Sequence, residues 1–444
     1  MNKNDLLKIL VGWNFWEEKL ETGTKRRFYL DNLTKFLETN QIIALTGVRR
    51  SGKSTLIKQV AEKLIESKIN PNKILIVNFE DYRFDEFSLK LLDEIYTLYL
   101  ERVAAEKKNN FIFLDEVQRI PKWERFVRTL HEKKEAKIIV SGSSSKLMSK
   151  ELATLLTGRH INFTILPLSF KEFLEFNKIE VNNKLCAIAK QHQLKKLLYE
   201  YFQYGGFPEV VLSEEPAKRR ILFEYVENIL MKDIAERHNI KERQKLKKLA
   251  KFYITNASSL ITFNKTAKSL DIALNTVERF SYFLQEAYLI YFLSRFSYKL
   301  KEQEKSPKKV YAIDVGISNV YGFKFNENLG NIMENIVFLE LLKRKINEIN
   351  MEIYYWKSQQ HEEVDFVVKE SLKVKQLLQV CYDAGDYNTK KREMKSLIKA
   401  SEELKCKNLF IITDDYESEE DFEWFGTKRK IIFIPLWKWL LEID

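Results

Sequence analysis

Residues Gly47-Val48-Arg49-Arg50-Ser51-Gly52-Lys53-Ser54 fit the spacing Gly-x-x-x-x-Gly-Lys-Ser, and that spacing suits one chemical task, gripping a polyphosphate. The glycines allow a turn that points successive backbone N–H groups at a β-phosphate. Lys53 then reaches the β and γ oxygens, the Ser54 hydroxyl ligates Mg²⁺, and the helix that starts here and includes Thr55 adds its positive end. Arg49 and Arg50 lie inside the loop, within reach of phosphate or of a neighbouring subunit. The run Phe111-Ile112-Phe113-Leu114-Asp115-Glu116 is four apolar residues ending in two carboxylates. It reads as a buried strand delivering acids to the C-terminal edge of a sheet, where α/β ligands bind. Asp115 is expected in the Mg²⁺ shell, and Glu116 is expected to orient or deprotonate the attacking water.

Three further features are open to two readings each. Lys137–Val140 runs into Ser141-Gly142-Ser143-Ser144-Ser145. Ser141 or Ser143 at that strand tip either reports nucleotide state by hydrogen bonding or belongs to an ordinary serine-rich turn. Arg159, in Thr157-Gly158-Arg159, either supplies charge to a γ-phosphate, within the chain or across a subunit interface, or is a surface arginine. Glu80-Asp81 either approaches the site or caps the next helix.

These residues need a frame, and the hydrophobic pattern supplies one. Ile42–Leu45, Ile74–Phe79, Phe111–Leu114 and Lys137–Val140 are short apolar strands, alternating with helices at 53–67, 87–107 and 122–134. Strands apolar throughout, separated by helices, predict an α/β fold with a parallel sheet covered on both faces. Residues 1–35 read as a helical lead-in with exposed aromatics at Trp13, Phe15 and Trp16. The sheet domain is expected over 36–167. A helical lid or linker follows over 168–238, interrupted by the turn Gly205-Gly206-Phe207-Pro208.

Composition narrows the class. A chain of 444 residues is too long for one core, and about three domains is the ordinary expectation. Hydrophobic residues at 45% and only 13 glycines and 7 prolines exclude a disordered or collagen-like protein. The net charge of +11 fits either lysine-rich solvated faces or a surface that meets nucleic acid. Cys186, Cys381 and Cys406 show no Cys-x-x-Cys spacing, and the five histidines form no zinc pattern. With no signal-like start and no apolar run of spanning length, a cytoplasmic location is expected.

Gly47–Thr55 resembles the Arg-Arg-containing phosphate loop of a prokaryotic, archaea-rich family of AAA-type ATPases. Leu114-Asp115-Glu116-Val117-Gln118, Ser141-Gly142-Ser143-Ser144, Leu166-Pro167-Leu168-Ser169-Phe170 and Tyr204-Gly205-Gly206-Phe207-Pro208 extend the likeness. So do Pro307-Lys308-Lys309-Val310-Tyr311 and Glu363-Val364-Asp365-Phe366-Val367. The matches run in order over nearly the whole chain. The resemblance implies an ATPase core, a winged helix and a C-terminal domain with a restriction-endonuclease-like fold.

The residues between 239 and 315 suit a winged helix by their own pattern. A helix over Lys245–Asn256, a short one over Phe263–Leu270 and a longer one over Asn275–Leu293 make a helix-turn-helix, with Asn275, Thr276, Glu278 and Arg279 at the exposed start. Tyr298–Tyr311 is the expected wing, carrying Lys299, Lys301, Lys305, Lys308 and Lys309. Lys241, Arg243, Lys245, Lys247, Lys248 and Lys251 add charge upstream. One reading is salt-sensitive DNA binding; the other is a winged helix that packs internally and only transmits nucleotide state.

In a last domain expected over 316–444, residues 330–444 give the order helix, three strands, helix, two strands. A metal nuclease on the implied fold needs an acid on the first helix, an Asp on the second strand and Glu-x-Lys on the third. Glu334 and Asp365 meet the first two requirements. The third position reads Gln379-Val380-Cys381, which lacks the second acid and the lysine. Glu334, Asp365 and Gln379 thus form at best a weakened second metal site, unless Lys357 or Lys375 substitutes. The sequence as a whole reads as an ATP- and Mg²⁺-dependent ATPase whose nucleotide state moves the winged helix and the C-terminal domain and so acts on DNA, as a homo-oligomer or with a protein partner. The rivals are an ATP-gated signalling or defence switch and an ATP-regulated nuclease.

Overall fold

Every residue of the strands β1 (Ile42–Thr46), β2 (Ile74–Asn78) and β3 (Asn110–Asp115) is buried, as continuous apolar runs in a parallel sheet require. With β4 (Ala136–Ser141) and β5 (His160–Thr164) they form a sheet in the order β2-β3-β4-β1-β5, and all its pairings are parallel. The coordinates are a computed structural model that describes residues 2–104, 106–142, 156, 158–322 and 329–442. They fall into two units, Met1–Leu166 and Pro167–Asp444.

In the first unit α1 (Lys3–Val11), α2 (Arg27–Leu37), α3 (Lys53–Glu66), α4 (Leu89–Arg102) and α5 (Trp123–Glu132) accompany the sheet. Strand β5 escaped the sequence reading. It lies at the sheet edge and alternates polar and apolar residues, so it lacks the apolar signature of its neighbours. The lead-in aromatics are docked rather than exposed. Trp13 and Trp16 pack on the sheet core, and the Trp16 indole donates to the Ile74 carbonyl at 2.8 Å. Between them the Asn14 amide donates to the Ile76 carbonyl at 2.9 Å and accepts from the Ile76 N–H at 2.7 Å. One side chain thereby pairs with the free edge of β2, which would otherwise offer its backbone to another strand.

The second unit begins with α6 (Phe170–Phe176), α7 (Lys184–Ala189), α8 (Gln191–Tyr204), α9 (Pro208–Leu212) and α10 (Glu215–Asn228), the last running into a π-helical turn over Ile229–Glu236. Next come α11 (Arg243–Thr255), β6 (Ser259–Ile261), α12 (Phe263–Leu270), α13 (Leu274–Glu286), β7 (Ile290–Leu293), α14 (Leu300–Lys305) and β8 (Lys308–Ala312). The three strands make an antiparallel sheet in the order β6-β8-β7. The helix expected to reach Leu293 stops at Glu286. Tyr288 turns through φ 59° and the apolar Ile290–Leu293 continues as β7.

After α15 (Val315–Tyr321) and α16 (Leu329–Arg344) come β9 (Met351–Lys357), β10 (Glu363–Glu370), β11 (Lys373–Cys381), α17 (Tyr387–Leu404), β12 (Leu409–Thr413), β13 (Ser418–Trp424), β14 (Thr427–Pro435) and α18 (Leu436–Leu441). These strands form a mixed sheet in the order β13-β14-β12-β11-β10-β9. Strand β13 was not anticipated, because its charged residues alternate with half-buried ones on an edge.

The segments expected as separate domains at 168–238, 239–315 and 316–444 share one core. Phe170 and Phe173 of α6, Leu194 and Leu198 of α8, Tyr311 of β8, Phe338 of α16, Phe366 of β10 and Trp437 of α18 belong to a single buried cluster. The second unit is therefore one packed body. The matched runs Leu166–Phe170 and Tyr204–Pro208 meet there through Leu168 and Gly206. The Leu168 N–H donates to the Gly206 carbonyl at 2.7 Å, and a Cβ on Gly206 would lie 2.2 Å from the Leu168 carbonyl oxygen. Buried Asp314 accepts from the Gly206 N–H at 2.7 Å and the Gly316 N–H at 2.9 Å, capping α15 as it does so.

Candidate active site

Strand β1 ends at Thr46, the chain turns through Gly47–Gly52, and α3 begins at Lys53. Gly47 has φ 131°, and a Cβ there would stand 2.3 Å from the Ile165 carbonyl oxygen, so both conformation and space demand glycine. Arg50 at φ 68° and Gly52 at φ 94° complete the turn. The Lys53 ammonium is buried and donates to the carbonyls of Gly47 and Val48, each at 3.0 Å, which holds it across the loop. Arg49 pairs with Glu80 at 2.7 Å, so Glu80 does lie beside the loop. Asp81 instead accepts from Trp13 and Arg83, whose guanidinium holds its carboxyl well below the usual range.

The acids arrive from β3. Strand β4 lies between β1 and β3, and its tip residue Ser141 donates its hydroxyl hydrogen bond to Asp115. The same oxygen accepts from the Glu116 N–H at 3.3 Å. Ser54 and Lys53, at the start of α3, lie near enough to Asp115 to act on its carboxyl. The loop, the acid and the serine thus converge at the C-terminal ends of the parallel strands, where such sheets bind ligands. Burial, with the charge of Glu116, pushes the Asp115 carboxyl up to about 6, against the bond from Ser141, the nearby Ser54 hydroxyl and the charge of Lys53. Glu116 has φ 54° and ψ 40°, a left-handed conformation unusual for glutamate. It turns the chain sharply out of β3, and Gln118 donates to its carboxylate.

The hydroxyl of Ser54 and the carboxylate of Asp115 are hard oxygen donors on the same side of the loop, a pair that fits Mg²⁺. Arg159 is elsewhere. It precedes β5, at the strand end opposite the loop, and pairs with Glu132 at 2.5 Å. It does not reach the phosphate loop of its own chain, because five residues of extended strand separate the two ends. Ser143–Ser145 and Thr157 lie outside the described residues.

Sequence reasoning missed Arg26. It is buried, donates to the Ser51 carbonyl at 2.8 Å and the Leu166 carbonyl at 3.0 Å, and lies 4.6 Å over the Tyr29 ring. Tyr29 in turn accepts from the Leu166 N–H at 3.1 Å. The two residues brace the phosphate loop against the chain leaving β5. Nothing in the run Lys25-Arg26-Arg27 distinguished the buried arginine from its exposed neighbour.

In the second unit Glu334, Asp365 and Gln379 are buried together. Gln379 accepts from the Asp365 N–H at 3.1 Å and donates to Glu393 at 2.8 Å. Lys309, expected on a DNA-facing wing, is instead 2% exposed and bonds to Glu334 and Asp365. It sits in Lys309-Val310-Tyr311-Ala312-Ile313, a run buried throughout, and a lysine inside such a run was the available signal. Of the lysines considered as substitutes, Lys357 pairs with Glu363 and Lys375 with Glu370. Among the described residues, no group of three or more His, Cys, Asp or Glu side chains is arranged to hold a metal ion.

The sheet order, the glycine-framed loop and the paired acids define an AAA-type P-loop ATPase fold. The family model described as "AAA domain" matches residues 39–174, and domains of unknown function DUF8612 and DUF4143 match 195–327 and 329–439. The chain belongs to the family of the uncharacterized protein MJ1544 of Methanocaldococcus jannaschii, with 36% identity over 96% of this chain and 93% of that protein. An uncharacterized protein of Haemophilus influenzae is 33% identical over 72% of this chain and 78% of its own length. The solved Walker-type ATPase PABY2304 of Pyrococcus abyssi aligns over 68% of this chain and 98% of its own, at 14% identity and a TM-score of 0.40. No helix among the described residues is long and apolar enough to cross a membrane.

Proposed function

We propose that the chain binds Mg·ATP in the Gly47–Thr55 loop, hydrolyses it, and couples nucleotide state to DNA. The observation that carries the ATPase reading is the convergence of two groups at the ends of β1 and β3: Lys53, held across the loop by the Gly47 and Val48 carbonyls, and Asp115, held by Ser141 from the intervening β4. Backbone amides of the loop cradle the phosphates, Lys53 neutralises the β and γ oxygens, and Ser54 with Asp115 holds Mg²⁺. The ion, when bound, offsets charge on the phosphate oxygens. Glu116 orients and deprotonates the attacking water, and Ser141 links its backbone to Asp115. Arg49 and Arg50 stand in the loop to meet phosphate or a second chain, and Arg159 serves only a neighbouring subunit's nucleotide.

The DNA half of the reading rests on α12 and α13 as a helix-turn-helix within a winged helix. Lys265 and Lys268 of α12 and Asn275, Arg279 and Tyr282 of α13 are exposed. Tyr298, Lys299 and Lys301 are exposed on the following segment. This set offers cations to phosphates and polar side chains to base edges, although the exposed Glu278 on the same face opposes it. ATPase rate measured with and without duplex DNA, at two salt concentrations, tests both halves. Stimulation by DNA that fades at the higher salt is expected. A measurable rate that DNA leaves unchanged at low salt removes the DNA half alone, and no hydrolysis under any condition removes both.

A further inference from the structure

Lys309 in β8 is the meeting point of three carboxylates. Its ammonium stands 2.9 Å from Glu334 Oε1, 2.9 Å from Glu363 Oε1 and 2.7 Å from Asp365 Oδ1. A lysine ammonium has three N–H donors and no acceptor. Two donors are taken by hydrogen bonds to Glu334 and Asp365, and Glu363 closes a third side as an ion-pair partner. The separations are those of an ammonium among carboxylates, well beyond the roughly 2.0–2.1 Å at which Mg²⁺ draws in oxygen.

The surrounding atoms are committed as well. Asp365 Oδ2 accepts from the Val380 N–H at 2.9 Å, and Glu363 Oε2 accepts from Lys357 at 2.9 Å. The Tyr311 hydroxyl donates to Glu334 Oε1 at 2.7 Å. Strand β11 brings Gln379 and Cys381 to this place, and the Gln379 amide is bonded at both ends. A metal nuclease needs carboxylates open to the ion and a lysine donor free for the water; neither is present in this cluster.

We propose that Lys309 is the resident cation of the cluster: an internal ammonium occupies the place of a divalent metal, and the C-terminal domain is a joint rather than a nuclease. The ammonium fastens the three-stranded sheet to the six-stranded one. Adjacent ties add to it. The Asn335 side chain donates to and accepts from the Ala312 backbone at 2.9 Å each, and the Phe296 N–H donates to the Tyr355 carbonyl at 2.6 Å. Removing the ammonium leaves three carboxylates around one buried point, which costs stability unless another cation enters.

The test is Mn²⁺ binding to the full chain without nucleotide, followed by electron paramagnetic resonance of the free ion. Wild type and Asp365→Asn are expected to bind the same amount. Lys309→Met is expected to bind one further Mn²⁺ per chain, to lose it again in Lys309→Met/Asp365→Asn, and to melt at a higher temperature when Mn²⁺ is added. If Lys309→Met does not fold, the wild-type and Asp365→Asn pair decides alone. A Mn²⁺ that wild type holds and Asp365→Asn loses overturns the proposal. So does Mn²⁺-dependent plasmid cleavage abolished by Asp365→Asn, or a folded Lys309→Met that binds no more Mn²⁺ than wild type. No nucleotide enters these measurements, so they stand or fall apart from the ATPase reading.

Discussion

The Arg26 guanidinium donates to the carbonyl oxygen of Ser51 at 2.8 Å, and so a residue from before the first strand holds the middle of the phosphate loop. Its second donor goes to Leu166, the last residue of the first unit. Loop and chain exit are thus referenced to the same buried cation.

Arg26→Ala strands two buried carbonyls and is expected to cost about 3 kcal/mol of stability. Nucleotide affinity should fall with it, because the loop loses its brace. Denaturant unfolding and titration with a fluorescent ATP analogue check the two effects. Unchanged affinity in a destabilised protein would show that the brace serves folding alone.

The loop lysine Lys53 and the acid Glu116 should separate binding from turnover. Lys53→Ala is expected to weaken nucleotide binding by about tenfold or more, since a charge-assisted contact to phosphate is lost. Glu116→Gln should keep binding and reduce turnover by on the order of 100-fold, the scale of general-base catalysis. Hydrolysis by Glu116→Gln at the wild-type rate contradicts the role given to Glu116.

Arg159→Ala should leave nucleotide affinity unchanged to within about twofold. The residue is half-exposed at the far end of β5, and its pairing with Glu132 is a surface contact of small worth. A tenfold loss of affinity in dilute protein would place Arg159 against its own chain's nucleotide and refute the geometry above.

Asp314 predicts a pH dependence of stability. Burial raises its carboxyl from 3.8 to about 6, so the folded state holds the proton more tightly than the unfolded chain. Its contribution is fully present below about pH 4 and is lost as pH rises through 6, by about 3 kcal/mol from the linkage of two pH units. Asp314→Asn should flatten the stability profile between pH 4 and 6, measured by urea unfolding at several pH values. Parallel profiles for the two proteins would assign the effect to another group.

Much of the first unit was legible because its signals are local. The loop spacing, the apolar β3 run ending in Asp115-Glu116 and the serine after β4 are each contiguous, and strand alternation with helices implies where their ends meet. Strand β5 was not legible, since an edge strand with polar alternation carries no contrast. The docking of Asn14 was hidden too, because an amide that imitates a strand has no pattern of its own.

The sequence alone determined the chemistry of the loop, the acids that face it and the parallel character of the sheet, because backbone turns and strand periodicity depend on neighbouring residues. Only the tertiary structure decided which lysine stays half-exposed and which is locked among carboxylates. Lys308 and Lys309 are adjacent and identical, yet successive side chains of a strand face opposite ways, and the partners of Lys309 come from Glu334, Glu363 and Asp365, at least 25 residues away. The same holds for Arg26 and Asp314, whose roles depend on the backbone groups that distant segments bring to them.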